Sequence, residues 1–299
     1  MTDFDKNEWG GSSPPRYHAH RLPLADLAAL STRTEYLLTT STTFLHLSDL
    51  HLVPPGRLLA GVDPMRPMRS VLERIERLEV APAFIVVSGD LTDDGSAESY
   101  EVVNEVLAEL GGGVTPILLA LGNHDDRATF RSVVLGAERA DDQGPYHYSR
   151  LIDGLRVIVL DSSIPGDVGG ALGTAQLAWL EDELRTPAPR GNLIVLHHPC
   201  RLAGPTHHYP AFIVHEAVAL EAIVARHRDR VVGVLAGHSH QANSAPFGGT
   251  LHATTPAVLC QLDFFAGEEY RPVPGGGFNL CQIDDGGLIV HPVLIEGDG

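Results

Sequence analysis

Five times along this chain a short apolar run stops at a cluster of aspartate, asparagine or histidine. Phe44-Leu45-His46-Leu47-Ser48 leads into Asp49-Leu50-His51, and Phe84-Ile85-Val86-Val87 into Gly89-Asp90. Pro116 to Ala120 leads into Gly122-Asn123-His124-Asp125. Leu193 to Leu196 leads into His197-His198-Pro199, and Val231 to Leu235 into Gly237-His238-Ser239-His240. Runs this short and apolar, bounded by glycine and polar residues, read as buried strands. In α/β sheets, ligands bind beyond the carboxyl ends of strands, where loops converge. The pattern therefore constrains the architecture and the place of the chemistry together.

The segments between these runs read as helices and hairpins. Pro67 to Leu78 carries Met68, Val71, Leu72, Ile75 and Leu78 at spacings of three and four, and Ala97 to Leu110 is again amphipathic. Thr174 to Leu184, with Thr174 as N-cap, and Val214 to Arg226 are two further helices. Tyr146-His147-Tyr148 and Arg156 to Leu160 flank an Asp153-Gly154 turn, a hairpin signal. Ser244 to Ile295 is rich in β-formers and glycine, which predicts a terminal run of antiparallel strands. The architecture expected is α/β: a two-sheet β-sandwich flanked by helices, in one domain over residues 41–299, with a shallow site at one edge. A single doubly wound sheet is the alternative, and periodicity alone does not separate the two. Residues 1–40 read as an N-terminal extension, partly flexible, with a loop at Gly10 to Pro15 and a short helix at Pro23 to Leu30. It packs loosely, contacts a partner, or is a disordered tail.

Composition narrows the partners. Thirty-eight acidic residues against 21 lysines and arginines give a net charge of -17, which repels nucleic acid. A small phosphorylated substrate stays open, because bound cations reverse the local field. Three cysteines without a CxxC pair fit a reducing cytoplasm rather than a disulfide framework. Met1 to Gly10 is polar and acidic, so no signal peptide is expected, and no apolar run reaches the roughly 18 residues of a membrane helix. Histidine stands out at 16 residues.

Carboxylate, imidazole and amide without thiolate make a first-row transition-metal donor set. The number of donors is too large for one tetrahedral ion and suits two ions sharing a carboxylate. In an extended segment, Asp-x-His or His-x-His spacing puts both side chains of a pair on one side. Gly89, Gly122 and Gly237 each stand between a strand and a donor, where backbone must turn sharply and approach closely.

The ordered string Asp-x-His, Gly-Asp, Gly-Asn-His-Asp, His, Gly-His-x-His resembles that of the calcineurin-like metallophosphoesterases, over about residues 43–296. Within them it is most similar to the bacterial class III cyclic nucleotide phosphodiesterases. The resemblance implies a four-layer α/β/β/α fold and two metal ions. The first, iron or manganese, would be held by Asp49, His51, Asp90 and His240; the second, manganese or zinc, by Asp90, Asn123, His197 and His238, with Asp90 as bridge. His124 takes the place of a catalytic histidine that binds no metal. Asp93 takes that of the carboxylate orienting it, with Asp125 as competing candidate. Protein phosphatases of the superfamily carry an arginine where this chain has Asp94, which favours a phosphodiester over a dianionic monoester.

The activity implied is hydrolysis of a 3′,5′-cyclic nucleotide to the nucleoside monophosphate by a metal-bridging hydroxide. The alternative is another small phosphodiester or monoester, such as a glycerophosphodiester or a 2′,3′-cyclic nucleotide. A non-catalytic module of this fold would be expected to have lost donors that this chain keeps. Among the other residues, His198 reads as supporting and His46 as packing, while His207 and His208 lie in a loop within reach of a substrate base or ribose. Gln261 to Gly277, with Phe264, Phe265 and Tyr270, walls the site, forms a homodimer contact, or simply covers the core.

Overall fold

The structure is a computed structural model that describes residues 41–59, 61–137, 143–204, 212–265 and 270–297. The expectations for residues 1–40 and for His207 and His208 lie outside the described residues. The first half of the described chain runs β1 (Thr42–Leu47), α1 (Met65–Glu76), β2 (Ile85–Ser88), α2 (Ala97–Leu110), β3 (Ile117–Ala120), α3 (Arg127–Val133), β4 (Tyr148–Ile152) and β5 (Leu155–Val159). A small ribbon of β6 (Ser163–Ile164) and β7 (Asp167–Gly170) precedes α4 (Gly173–Arg185), β8 (Asn192–Val195), α5 (Ala217–Arg226) and β9 (Val231–Ala236). The C-terminal part holds β10 (Asn243–Phe247), β11 (Thr250–Thr254), a second ribbon of β12 (Gln261–Asp263) and β13 (Arg271–Val273), then β14 (Gly276–Asp284) and β15 (Gly287–Ile295).

Two main sheets form among the described residues. One has the order β15-β14-β1-β2-β3, the other β10-β11-β9-β8-β5-β4. Alternate residues of each strand serve different layers. Phe44, Phe84, Val86 and Leu118 of the first sheet meet Val157, Val159, Leu193, Val195 and Leu235 of the second in one buried cluster. Leu45, Leu47, Ile85 and Val87 face the other way, onto Met68, Val71 and Leu72 of α1 and Tyr100, Val103 and Val106 of α2. Ile158, Ile194 and Val234 likewise pack on Leu177, Leu180 and Leu184 of α4 and on Leu220 and Val224 of α5. The architecture is thus the four-layer sandwich, not one doubly wound sheet. Strands buried on both faces explain the near-continuous apolar runs.

Strand direction places the site. β1, β2 and β3 are parallel and in step, with Leu47 beside Val87 and Val87 beside Leu119, so their carboxyl ends share one edge. β5, β8, β9 and β11 run parallel to one another in the second sheet, with β4 and β10 antiparallel at its edges. Backbone pairing continues past the strand ends: Asp49 N donates to Gly89 O and His51 N to Asp90 O, both at 3.0 Å.

Three local expectations are corrected. The C-terminal strands are not all antiparallel: β11 joins the second sheet parallel to β9, while β14 and β15 return antiparallel beside β1. Thr174 does not cap α4. The Glu216 carboxylate accepts from Leu172 N (2.9 Å) and Gly173 N (3.2 Å) instead, an anion at the helix N-terminus supplied from distant sequence. Nor are the Asp-x-His and His-x-His segments extended. Asp49 (φ 56°), His51 (φ 47°), His238 (φ 63°) and His240 (φ 55°) all take the left-handed conformation, as does Asp90 (φ 49°).

Candidate metal centre

Left-handed backbone at a non-glycine residue is costly and persists only where its surroundings enforce it. Here it occurs at five residues that follow β1, β2 and β9. The turns aim their side chains across the gap between the sheets. Because each pair alternates through turns, His240 joins Asp49 and His51 while His238 joins His197 on the other side. Gly122 stands so close to Asp90 that a Cβ there would strike its carboxylate, and a Cβ on Gly89 would lie 2.6 Å from His197 Nδ1. The close approach expected of both glycines is what the packing requires.

The resulting cluster is almost wholly buried: Asp49, Asp90, His51, His197, His238 and His240 are each less than a tenth exposed. On one side His240 Nε2 lies 3.4 Å from Asp49 Oδ1 and 3.2 Å from His51 Nε2. On the other, His197 Nε2 lies 3.1 Å from Asn123 Oδ1, and the ring of His238 stands 4.9 Å from that of His197. Asp90 joins the two. Its Oδ2 is 3.6 Å from His51 Nε2 and 3.4 Å from His197 Nε2, while Oδ1 accepts from His124 N at 2.9 Å.

Hydrogen bonds on the far sides of the rings set their tautomers. His197 Nδ1 donates to Ser88 O (2.9 Å) and His240 Nδ1 to Cys260 O (2.8 Å). A carbonyl accepts only, so in each neutral ring Nε2 carries the lone pair. These lone pairs confront carboxylate and amide oxygens and each other. Asp49 Oδ1, buried, has no hydrogen-bond partner at all. Such a set is satisfied by a proton or by a cation. Burial alone would depress His197, yet the Asp90 carboxylate lifts it to about 9; burial likewise opposes charge on Asp90, yet His197 and His51 hold its carboxyl well below the usual range. A buried carboxylate held ionised against inward-facing imidazole nitrogens offers the donors that a metal ion takes. Among the described residues, four groups lie close enough to hold one: Asp49–His51–His240, Asp49–Asp90–His197, His51–Asp93–His124 and His197–His198–His238, the last with both His198 ring nitrogens already hydrogen-bonded.

His124 differs from this cluster. Its side chain is 39% exposed, its ring packs edge-on to His51 at 4.8 Å, and its Nδ1 lies 2.8 Å from the Asp93 carbonyl and 3.7 Å from the Asp93 carboxylate. Asp93 Oδ1 also stands 3.3 Å from His51 Nδ1. The Asp125 carboxylate turns elsewhere. It accepts from Gly122 N (2.9 Å), Leu91 N (3.2 Å), Thr92 N (3.3 Å) and Tyr100 Oη (3.0 Å). Burial and the Asp90 charge push it up to about 6 despite these donors.

His198 has no lone pair to spare. Its Nε2 donates to Val168 O (3.0 Å), and its Nδ1 pairs at 2.8 Å with Ser162 Oγ, which in turn accepts from His198 N. It ties the β6–β7 ribbon to the site, the supporting role expected of it. His46 is buried as expected, and its Nε2 also reaches Ser88 Oγ at 2.8 Å, beneath the carbonyl that orients His197. Sequence reading missed Ser88, Cys260, Ser162 and Arg57, whose roles come from where tertiary structure puts their oxygen atoms or charge. Arg57 pairs with Asp94, whose Oδ1 also accepts from Ser96 N (3.0 Å) and Ser99 Oγ (2.8 Å) at the start of α2.

The profile of the calcineurin-like phosphoesterase family matches residues 42–242. A Rhodococcus erythropolis protein named as a probable cyclic nucleotide phosphodiesterase is 40% identical over 85% of this chain and 83% of its own length. A Mycobacterium tuberculosis cAMP/cGMP dual specificity phosphodiesterase is 36% identical over 94% of this chain and 84% of its own. The glycerophosphodiester phosphodiesterase GpdQ of Enterobacter lignolyticus is 30% identical over 76% and 81%. With the family's ordered motifs converging on one buried donor cluster, this chain belongs to the calcineurin-like phosphoesterases and is a phosphodiesterase-type hydrolase.

Proposed function

We propose that the protein hydrolyses 3′,5′-cyclic nucleotides such as cAMP and cGMP to nucleoside monophosphates at a two-metal centre. The observation that carries this reading is the position of Asp90 Oδ2, within 3.6 Å of an imidazole nitrogen from each side of the cluster. Asp49, His51, Asp90 and His240 would hold one ion, and Asp90, Asn123, His197 and His238 the other. When bound, two such ions supply positive charge for phosphoryl oxygens and acidify a water between them; iron, manganese and zinc all suit these donors.

The chain's own residues do the remaining work. The carbonyls of Ser88 and Cys260 keep His197 and His240 in the tautomer that presents Nε2 inward. The Asp93 carbonyl holds Nδ1 of His124 as N–H, which leaves Nε2 to exchange a proton with the substrate. Water adds to phosphorus and loses a proton, the P–O3′ bond breaks, and His124, acting as an imidazolium, gives the Nε2 proton to the departing ribose oxygen; the proton released by the water restores the imidazolium. Asp94 is neutralised by Arg57, so that pair adds no net positive charge to clamp a dianion. This favours a diester. Residues 41–299 would carry the whole reaction in the cytoplasm, with residues 1–40 as an extension to it.

A glycerophosphodiester is the second reading, supported by the similarity to GpdQ. Metal analysis of the purified protein, followed by assay on cAMP, cGMP, a 2′,3′-cyclic nucleotide, a glycerophosphodiester and p-nitrophenyl phosphate, separates the readings. Two metal equivalents and fastest turnover of the 3′,5′-cyclic nucleotides are expected. Faster turnover of the monoester would sink both readings.

A further inference from the structure

An aromatic wall grows out of the donor cluster. The ring of Phe212, 2% exposed, lies 4.9 Å from His238. Phe264, 4% exposed, meets Phe212 at 5.0 Å, and Tyr270 meets Phe212 at 5.4 Å and Phe264 at 6.0 Å, all edge to face. Exposure then rises sharply, to 42% at Tyr270 and 74% at Phe265. The wall stands on the β12–β13 ribbon, whose root is bonded to the same motif: the Cys260 carbonyl holds His240, and Gln241 Nε2 donates to Leu262 O. Among the ribbon's described residues Arg271 lies 3.7 Å from Asp263, while the sequence between its strands adds Glu268 and Glu269, so the ribbon carries no excess positive charge.

Such a wall does not suit every substituent. A second phosphate or a carboxylate would need an unneutralised cation, and this ribbon offers none among its described residues. A glycerol group has no flat face; a quaternary ammonium would also be held by aromatic faces, and it is the cyclic nucleotide reading above that selects a base. A planar, uncharged ring gains from stacking on aromatic side chains, and every base can use it. We propose that Tyr270, backed by Phe212 and Phe264, forms the subsite for the nucleobase of the diester, and so determines its specificity. The inference rests on the phosphodiesterase reading above and names the part of the substrate that lies furthest from phosphorus.

The test compares the wild-type metalloenzyme with Tyr270→Ala, Tyr270→Phe and, as a surface control, Phe265→Ala, on cAMP and on glycerophosphoethanolamine, a diester without a ring. Both residues are solvent-exposed enough that unchanged thermal melting is expected and serves as the folding control. Tyr270→Ala should raise KM for cAMP about tenfold with kcat nearly unchanged, as loss of one base-stacking partner implies. Tyr270→Phe should keep the wild-type KM, and the ringless diester should be indifferent to all three. Equal losses on both diesters, or no loss on cAMP, would overturn the subsite. Should wild type fail to hydrolyse cAMP at all, the cyclic nucleotide reading falls, and binding alone decides the subsite. Saturation transfer from protein to the H2 and H8 protons of AMP must then be present in wild type and weakened in Tyr270→Ala. Its absence in wild type, or its persistence in Tyr270→Ala, would overturn the subsite as well.

Discussion

Asp90 Oδ2 and His197 Nε2 stand 3.4 Å apart, although Asp90 follows a strand of one sheet and His197 follows a strand of the other. The candidate centre therefore spans the sandwich. Its geometry depends on the apolar layer between the sheets, where Phe44 stacks on Phe84 at 4.5 Å and both pack with Val157 and Val195. Burial of such side chains stabilises by roughly 1.5–3 kcal/mol each, so the site rests on a fully buried apolar layer.

Gly122 gives the sharpest steric test of the centre. A methyl group at this position would collide with the Asp90 carboxylate and backbone. Gly122→Ala is expected to displace Asp90 and to lower both metal content and turnover. Mass-spectrometric metal counting on folded protein checks it, with circular dichroism to show that the sheets remain.

His124 lies beside the cluster rather than in it. His124→Ala should cost about 10²–10⁴-fold in kcat, the range for loss of a general acid, while both metals stay bound. Loss of a metal equivalent in this variant would instead make His124 a ligand.

The two aspartates beside His124 should separate by assay. Asp93 faces His124 and His51, so Asp93→Ala is expected to lower turnover with a small change in thermal stability. Asp125 accepts from three backbone N–H groups and a tyrosine hydroxyl. Asp125→Ala leaves buried donors unsatisfied, at about 1–3 kcal/mol each, so a large drop in melting temperature is expected. Urea titration of both variants distinguishes them.

His252 sets a pH test away from the centre. It is buried, its Nε2 accepts from Cys200 N at 3.1 Å, and its Nδ1 has no hydrogen-bond partner. Burial, aided by the Arg201 charge, lowers it from 6.5 to about 4. Below pH 6.5 the unfolded chain takes up a proton that the folded chain refuses, so stability contributed by neutral His252 falls as pH drops from about 6.5 to about 4. The slope is roughly 1.4 kcal/mol per pH unit. In His252→Gln this slope disappears. The stability gap between variant and wild type should narrow by about 2 kcal/mol from pH 7 to pH 5; a constant gap would contradict it.

Much of the molecule was legible locally. Buried strands announce themselves by apolar runs, and α2 was bounded at Ala97 and Leu110 by its period alone. The donors were legible because this metal chemistry needs rare residue types after strands, in order. The conformation of the donor loops was not. Asp49, His51, Asp90, His238 and His240 adopt left-handed backbone, which no side-chain pattern signals, because neighbouring loops impose it. The Glu216 cap of α4 and the carbonyls of Ser88 and Cys260 were equally hidden, since every residue carries a carbonyl and only its placement gives it a role. The sequence by itself determined which side chains could serve the chemistry. Tertiary structure alone decided which of them meet, which tautomer each imidazole holds, and that Asp93 rather than Asp125 faces His124. Side-chain chemistry is local, whereas hydrogen-bond partners and burial depend on chain segments far apart in sequence.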